Sequence, residues 1–299
     1  MYKVKAWFNA ARLRTLPLAA SGILVGGGLA LYRGSFDWVV FSLALITTLL
    51  FQILSNFAND YGDGIKGTDN DQRIGPARAF QSGLLTDKEL KRGMILTATL
   101  GFLCAGHLIY YSLHDVLLEA IGYIFLGLLS IAAAIKYTVG NDAYGYRGLG
   151  DLSVFLFFGL VSVVGSYYLY ERTTVTSIEI LPAITMGALS AGVLNLNNMR
   201  DRISDAQAGK KTLVVSMGGP AAVVYHTALI LLSIATLAIT ISKINLDYKE
   251  IVYIGFVPLL IHLYVVRNIE SPHRYDPQLK VLALSTFFIS ALFFGINYL

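Results

Sequence analysis

Apolar residues in this chain come in long unbroken runs, and the polar residues are gathered between them. Runs able to cross about 30 Å of hydrocarbon as helix, roughly 20 residues each, can be read at 13–32, 38–59, 93–113, 116–137, 154–170, 180–198, 221–241, 251–266 and 281–299. The pattern predicts an all-α, polytopic membrane protein with nine transmembrane helices. A soluble bundle would instead show apolar stripes opposite charged faces. The small-residue string AASG lies within the first run, as at a signal-peptide cleavage site, but eight further spans leave the class unchanged, and the segment is expected to be retained.

Most connections are short, whereas 60–92 and 200–220 are long and hold most of the Asp, Lys and Arg. Long loops in a compact protein are usually lids or binding loops. The exits of the second and sixth runs resemble each other. The first reads Asn59-Asp60-Tyr61-Gly62-Asp63, with Asp69 following; the second reads Asn197-Asn198-Met199-Arg200-Asp201, with Asp205 following. The expected architecture is one domain over 1–299, made of two related four-helix units plus a ninth helix around a central cavity.

Composition agrees: 55% of the 299 residues are hydrophobic and 14% charged, against roughly a quarter charged in soluble domains. Of the 23 Lys and Arg, all but Arg33, Arg172, Lys243 and Lys249 fall on one side of the expected topology. The positive-inside rule then places the N-terminus and both acidic loops in the cytoplasm and the C-terminus outside, in the cell inner (plasma) membrane. The net charge of +4 reads as topology and attraction to anionic membrane lipid rather than to nucleic acid. Cys104 is the only cysteine, and the five histidines are scattered, so they are expected to be packed or interfacial rather than metal ligands.

Spacing of four on a helix puts side chains on one face, so Asn59 points with Asp63, and Asn197 with Asp201 and Asp205. Both sets lie at helix C-termini, where the helix dipole disfavours further negative charge, so a cation is expected. Carboxylate and amide oxygens without His or Cys favour Mg²⁺ or Ca²⁺. The interleaved Lys66, Arg73, Arg78, Arg200 and Lys210 suggest that the metal bridges a polyphosphate. Solvated loop charge would explain Lys88 to Arg92 but not the paired motifs.

With these motifs, the blocks RLRTLPLAASGILVG, LSNFANDYGDGIKGTDNDQRIGPAR, KYTVGNDAYGYRGLGDLSVFLFFG and VLNLNNMRDRISDAQAGKKTLVV resemble the UbiA-type intramembrane aromatic prenyltransferases, nearest to the naphthoate branch. Asp69 lies six residues beyond Asp63, where the wider family often has its last acid at the position of Gly67, and the longer spacing suits that branch. The resemblance implies two Mg²⁺ ions clamping the diphosphate of a polyprenyl donor. It gives metal-ligand roles to Asn59, Asp63, Asp69, Asn197, Asp201 and Asp205, with Asp60 beside them. Asp63, Asp201 and Asp205 are thereby central to catalysis, and Arg12 joins the diphosphate-binding cations. Lys136, Tyr137, Tyr146, Arg147 and Asp151 are candidates for handling an aromatic acid acceptor, 1,4-dihydroxy-2-naphthoate in that branch. Its ring carbon would be alkylated with loss of CO₂, giving a demethylmenaquinone.

Hydroxybenzoate, homogentisate and lipid-glycerol phosphate remain alternative acceptors within the family. A cation-coupled transporter is the alternative from another class, although its acids would lie near mid-span. A CDP-alcohol phosphotransferase would need a single acidic stretch with Gly-Ala-Arg, which the chain lacks. Prenyl chain length and oligomeric state are not encoded in any readable pattern.

Overall fold

The computed structural model describes residues 2–68, 74–75, 78–172 and 174–298. Among the described residues there is no strand, and nine helices are long and apolar enough to cross a membrane. In chain order these are span 1 (Lys3–Arg33), span 2 (Trp38–Ile65), span 3 (Asp87–Leu113), span 4 (Leu117–Lys136), span 5 (Gly150–Glu171), span 6 (Ser177–Gln207), span 7 (Gly219–Lys243), span 8 (Lys249–Arg267) and span 9 (Pro272–Tyr298). The two motif-bearing helices are therefore second and sixth. Both run past the apolar stretch that suggested them, span 2 to Ile65 and span 6 to Gln207, so Asn59 to Asp63 and Asn197 to Asp205 are helical throughout.

Helix starts are set by local chemistry. Asp37 accepts hydrogen bonds from Val39 N and Val40 N at 2.6 and 3.1 Å, while Thr86 with Glu89 and Thr176 with Glu179 form capping boxes. Each cap satisfies backbone donors that helix geometry leaves open. Glu179 is fully buried and also pairs with Arg33 at 2.7 Å, tying the end of span 1 to the start of span 6.

Two spans are irregular where they border the cavity described below. Span 1 is a helix, Tyr2–Ala11, then a 3-10 turn, Leu13–Thr15, then a second helix, Leu16–Arg33. At the break Arg12 has φ 49° and ψ 56°, a left-handed conformation that few non-glycine residues adopt. Span 5 is π-helical over Phe155–Gly165, a form concentrated at functional sites.

Small residues let these spans approach. A Cβ on Gly22 would lie 2.1 Å from Ser162 Oγ and one on Gly26 2.2 Å from Ser166 Oγ, so spans 1 and 5 meet through small residues four apart. Spans 5 and 6 cross at Gly159 and Gly187, each backed by the other span's backbone. Such contacts suit a membrane, where close packing replaces the hydrophobic effect as the force between helices. Span 9 packs along span 1. On the outer surface of spans 3 and 4, Ile95, Leu118 and Phe125 are 67%, 83% and 67% exposed, a face suited to hydrocarbon.

Candidate active site

A cavity of about 560 Å³ lies at the centre of the bundle, lined by spans 1 to 6 and 9 and by Arg78, Tyr137, Tyr144 and Lys210 from connections. Its wall changes character along the helices. At the motif end it presents Arg12, Arg14, Asn56, Asn59, Asp63, Asn197, Arg200, Lys210, Asp276 and Lys280. Further along the spans it is formed by residues such as Ile23, Ala44, Leu108, Ile109, Val161 and Leu169.

The first motif is fixed by contacts with the connection after span 4. Gly62 presses on Thr138, and a Cβ there would stand 2.8 Å from the Thr138 carbonyl oxygen, so a glycine sits inside the acidic sequence for steric reasons. Thr138 Oγ1 donates to Ala58 O at 2.9 Å and lies 3.2 Å from Asn59 Oδ1, while Lys66 Nζ donates to Thr138 O at 2.8 Å. Asp63, buried, accepts a hydrogen bond from Tyr146 OH at 2.8 Å, and that hydroxyl also meets Thr68 Oγ1 at 2.5 Å. Asp60 faces away from the cavity lining. Its carboxylate accepts from Ala79 N at 3.2 Å and lies 3.9 Å from Arg12 and 3.6 Å from Arg78.

The second motif is held by Arg200. Its Nε and Nη2 donate to Asp201 Oδ1 and Oδ2 at 2.9 and 2.6 Å, Nη2 also donates to Asn197 Oδ1 at 2.8 Å, and Nη1 reaches Asp276 on span 9 at 2.5 Å. Lys210 joins the two motifs. Its ammonium is 3.8 Å from Asp205 and 5.2 Å from the centroid of the Tyr146 ring, whose hydroxyl holds Asp63. Lys66 lies 4.0 Å from the same ring centroid. Backbone pairing of Lys211 N with Tyr146 O at 3.0 Å draws the two connections together.

The titrating groups outside the spans respond to this crowding. Burial disfavours the Lys210 cation, but Asp63 and Asp205 outweigh it and raise its pKa above the ordinary lysine value. Lys66 moves down, chiefly by burial, although Asp63 opposes the shift. The Tyr146 phenol is pushed well up by burial and then by Asp63, and Tyr137 likewise by burial and then by Asp151.

Of the residues singled out from sequence, Arg12, Asn59, Asp63, Arg78, Tyr137, Asn197, Arg200 and Lys210 line the cavity. Asp201 and Asp205 stand off that wall, paired with Arg200 and Lys210, which form it, and Lys66 stands off it beside Thr138 and Tyr146. Asp69 and Arg73 lie outside the described residues. Lys136 and Arg147 are exposed and off the cavity wall, Arg147 being paired with Asp142. Asp151 is buried off the wall too, facing Tyr225 of span 7. The donors present are amide and carboxylate oxygens, which suit a hard cation. No group of three or more His, Cys, Asp or Glu among the described residues converges into a metal cage. That arrangement fits Mg²⁺, which keeps several waters and takes only one or two carboxylates beside substrate phosphates.

Several participants escaped the sequence reading. Asn56 donates to Ala11 O at 2.8 Å and to Thr15 Oγ1 at 3.2 Å, holding the break in span 1. The row Gln52, Asn56, Asn59, Asp63 has helical spacing and could have shown it. Asp276 and Lys280 carried no such signal. His226 and His262 are packed, as expected, but against each other, with Nε2 atoms 2.9 Å apart and Gln278 Oε1 2.8 Å from His262 Nδ1.

A profile described as the UbiA prenyltransferase family matches residues 19–292. The chain belongs to that family. A 1,4-dihydroxy-2-naphthoate octaprenyltransferase of Haemophilus influenzae is 43% identical over 296 residues, 97% of this chain and 95% of the relative. Its counterpart in Escherichia coli K12 is 49% identical over 237 residues, 79% and 76% of the two chains. Among solved structures, a UbiA homologue from Archaeoglobus fulgidus bound to GPP and Mg²⁺ superposes with TM-score 0.71 at 15% identity, over 98% of each chain. The apo UbiA homologue of Aeropyrum pernix gives 0.71 at 15% identity over 96% and 97%. At that identity the likeness is one of fold: the all-helical UbiA architecture.

Proposed function

We propose that this UbiA-family chain transfers a polyprenyl group from a polyprenyl diphosphate to 1,4-dihydroxy-2-naphthoate, with release of diphosphate and CO₂. The observation that carries the reading is the cavity itself. One end gathers the two Asn/Asp motifs with Lys210, Arg78 and Arg200, and the remainder is uncharged and largely apolar. A ligand with a polyphosphate head and an isoprenoid tail fits it in one direction. The naphthoate acceptor is taken from the name shared by the two bacterial relatives, and Mg²⁺ from the GPP-bound homologue.

Asn59, Asp63, Asn197, Asp201 and Asp205 would hold metal, two Mg²⁺ in this reading, with Asp69 as a further ligand and Asp60 anchoring Arg12 and Arg78 behind them. Bound Mg²⁺ supplies charge neutralisation to the departing diphosphate. Lys210, Arg78 and Arg200 add fixed positive charge at the same place, and Arg12 and Lys66 support it. The allylic C–O bond breaks with its electron pair leaving on diphosphate. The largely apolar wall beyond the motifs keeps water from the allylic cation, and Tyr137, Tyr144 and Phe158 put aromatic rings on that wall, a residue type that can stabilise a cation. The ring carbon bearing the carboxylate forms the new C–C bond, and the electron pair of the C–CO₂⁻ bond returns to the ring as CO₂ departs. CO₂ leaves in place of a proton, so the step requires no base at the ring, and the product is the reduced form of a demethylmenaquinone.

The excess of Lys and Arg beside the motifs supports a cytoplasmic motif end, in the plasma (inner) membrane. The reading is tested with purified protein, a polyprenyl diphosphate and 1,4-dihydroxy-2-naphthoate. Equal amounts of diphosphate and CO₂, dependent on Mg²⁺ and lost in Asp63→Asn, are expected; prenylation of hydroxybenzoate in preference to the naphthoate would overturn the acceptor.

A further inference from the structure

Two cations of the cavity wall stand outside the acid-rich grouping. Arg14, in the 3-10 turn that breaks span 1, and Lys280 on span 9 both line the cavity and both are exposed. Among the described residues neither has a carboxylate within ion-pair distance. For Lys280 this follows from the wiring of the second motif. Its partner one helical turn earlier is Asp276, at the spacing that favours an ion pair, but that carboxylate is taken by Arg200.

The two cations also lie at one level. Spans 1 and 9 run in parallel with Gly28 packed on Phe293. At about 1.5 Å per residue, Arg14 and Lys280 each stand about 20 Å from that contact. Both displacements point toward the motif end, where Arg12 meets Asp60 and Asp276 meets Arg200. One turn deeper, the same two helices offer Leu18 and Ala283 to the cavity. The wall between spans 1 and 9 thus presents two uncompensated cations above an apolar surface, and its one acid, Asp276, is already paired with Arg200.

We propose that Arg14 and Lys280 form the acceptor subsite, binding the carboxylate of the aromatic acid while its ring lies against Leu18 and Ala283. The proposal rests on the naphthoate reading above and adds to it the place and orientation of the acceptor. The donor's diphosphate belongs with the acids and with Lys210. The acceptor therefore enters from the side of span 9, a helix on which the sequence motifs place nothing. The contact is made before the chemical step and is lost as CO₂ leaves, so it supplies binding rather than transition-state stabilisation.

The test is steady-state kinetics of Arg14→Gln, Lys280→Gln and Lys280→Arg, varying each substrate in turn. Each neutral variant should raise KM for 1,4-dihydroxy-2-naphthoate about tenfold, the worth of one charge-assisted hydrogen bond. KM for the polyprenyl diphosphate should stay within about twofold on the same reasoning, and Lys280→Arg should restore the acceptor KM. In a binding arm that needs no turnover, 1-hydroxy-2-naphthoate should raise the melting temperature of the wild type more than 1-naphthol does, and Lys280→Gln should erase the difference. An unchanged acceptor KM, or an equal rise for both substrates, would overturn the subsite. So would effects that appear only when anionic lipid is added, which would assign the two cations to lipid headgroups. A wild type that binds the hydroxynaphthoate but never prenylates the naphthoate would overturn the function reading and leave the subsite standing.

Discussion

Spans 5 and 6 cross so closely that adding one methyl group should disturb both stability and the site. A Cβ on Gly159 would lie 2.6 Å from Ala183 O, 2.9 Å from Gly187 Cα and 3.1 Å from Gly187 N. All three atoms belong to backbone, so no rotamer change relieves the clash. The helices must part by most of the gap between 2.6 Å and the 3.4 Å at which contact becomes ordinary. Overpacking of this kind costs about 1–3 kcal/mol, and the upper half applies because nothing at the contact can rotate. Alanine returns up to about 1 kcal/mol through its better helix propensity, so Gly159→Ala should be destabilising by about 1–3 kcal/mol. Gly106 on span 3 is the control: a Cβ there meets nothing within 4 Å, and Gly106→Ala should gain up to about 1 kcal/mol.

Thermal unfolding in detergent should therefore rank Gly106→Ala at or above wild type and Gly159→Ala several degrees below it. The activity consequence follows from geometry, because span 6 carries Asn197 and Asp201 beyond the crossing, and a shift approaching 1 Å at a reacting centre can cost about 100-fold in rate. Gly159→Ala melting with or above Gly106→Ala would refute the close crossing and the lever argument with it.

Asp60→Asn leaves the Arg12 and Arg78 charges facing a neutral group in a buried setting, and should lower stability by about 3–5 kcal/mol in chemical denaturation; a loss under 1 kcal/mol would make Asp60 a ligand rather than an anchor. Tyr146→Phe keeps the ring beside Lys66 and Lys210 but removes the bond to Asp63, so kcat/KM should fall about 10- to 100-fold, with Tyr146→Leu lower still. Lys66, whose pKa burial lowers from 10.5, should lose its proton first on the alkaline side, whereas the raised pKa of Lys210 keeps its charge, and its stabilising contribution, until higher pH; the alkaline limb of the activity profile should then begin below 10.5 and move up in Lys66→Arg. Titration calorimetry should show Mg²⁺ binding at least about tenfold tighter with polyprenyl diphosphate present, and the diphosphate correspondingly tighter with Mg²⁺, since linkage makes the coupling reciprocal.

The nine spans were legible because membrane crossing sets a length that apolar runs must reach, and the two motifs because carboxylates at helix ends in an apolar chain stand out. The ends of spans 2 and 6 were not. The apolar runs stop near Asn59 and Asn198, but helical hydrogen bonding does not stop with hydrophobicity, and the connections bury the next two turns. The Tyr146–Asp63 and Lys210–Asp205 contacts join segments far apart in sequence, and no spacing rule reaches that distance. The assignment of Asp151 to the acceptor followed its neighbours in the YGYRGLGD stretch, yet the turn onto span 5 directs Asp151 toward Tyr225 while Tyr137 and Tyr144 reach the cavity.

The charge arrangement explains why so acidic a pair of helix ends can be stable at all. Asp60 faces Arg12 and Arg78, Asp201 holds Arg200, and Asp205 faces Lys210. Arg200 and Lys210, which would grip a diphosphate, are also the counter-charges of carboxylates that would grip a metal. A metal arriving alone must displace arginine and lysine from the acids, and a diphosphate arriving alone must approach those acids directly. Arriving together, they let the acids turn to the metal and the cations to the phosphate oxygens, so that every charge exchanges one partner for another and none is left uncompensated. The mixing of acids and bases that first marked these loops is thus a requirement of the resting protein as much as of the reaction, because carboxylates at the negative end of a helix dipole need cations of their own until a ligand brings better ones.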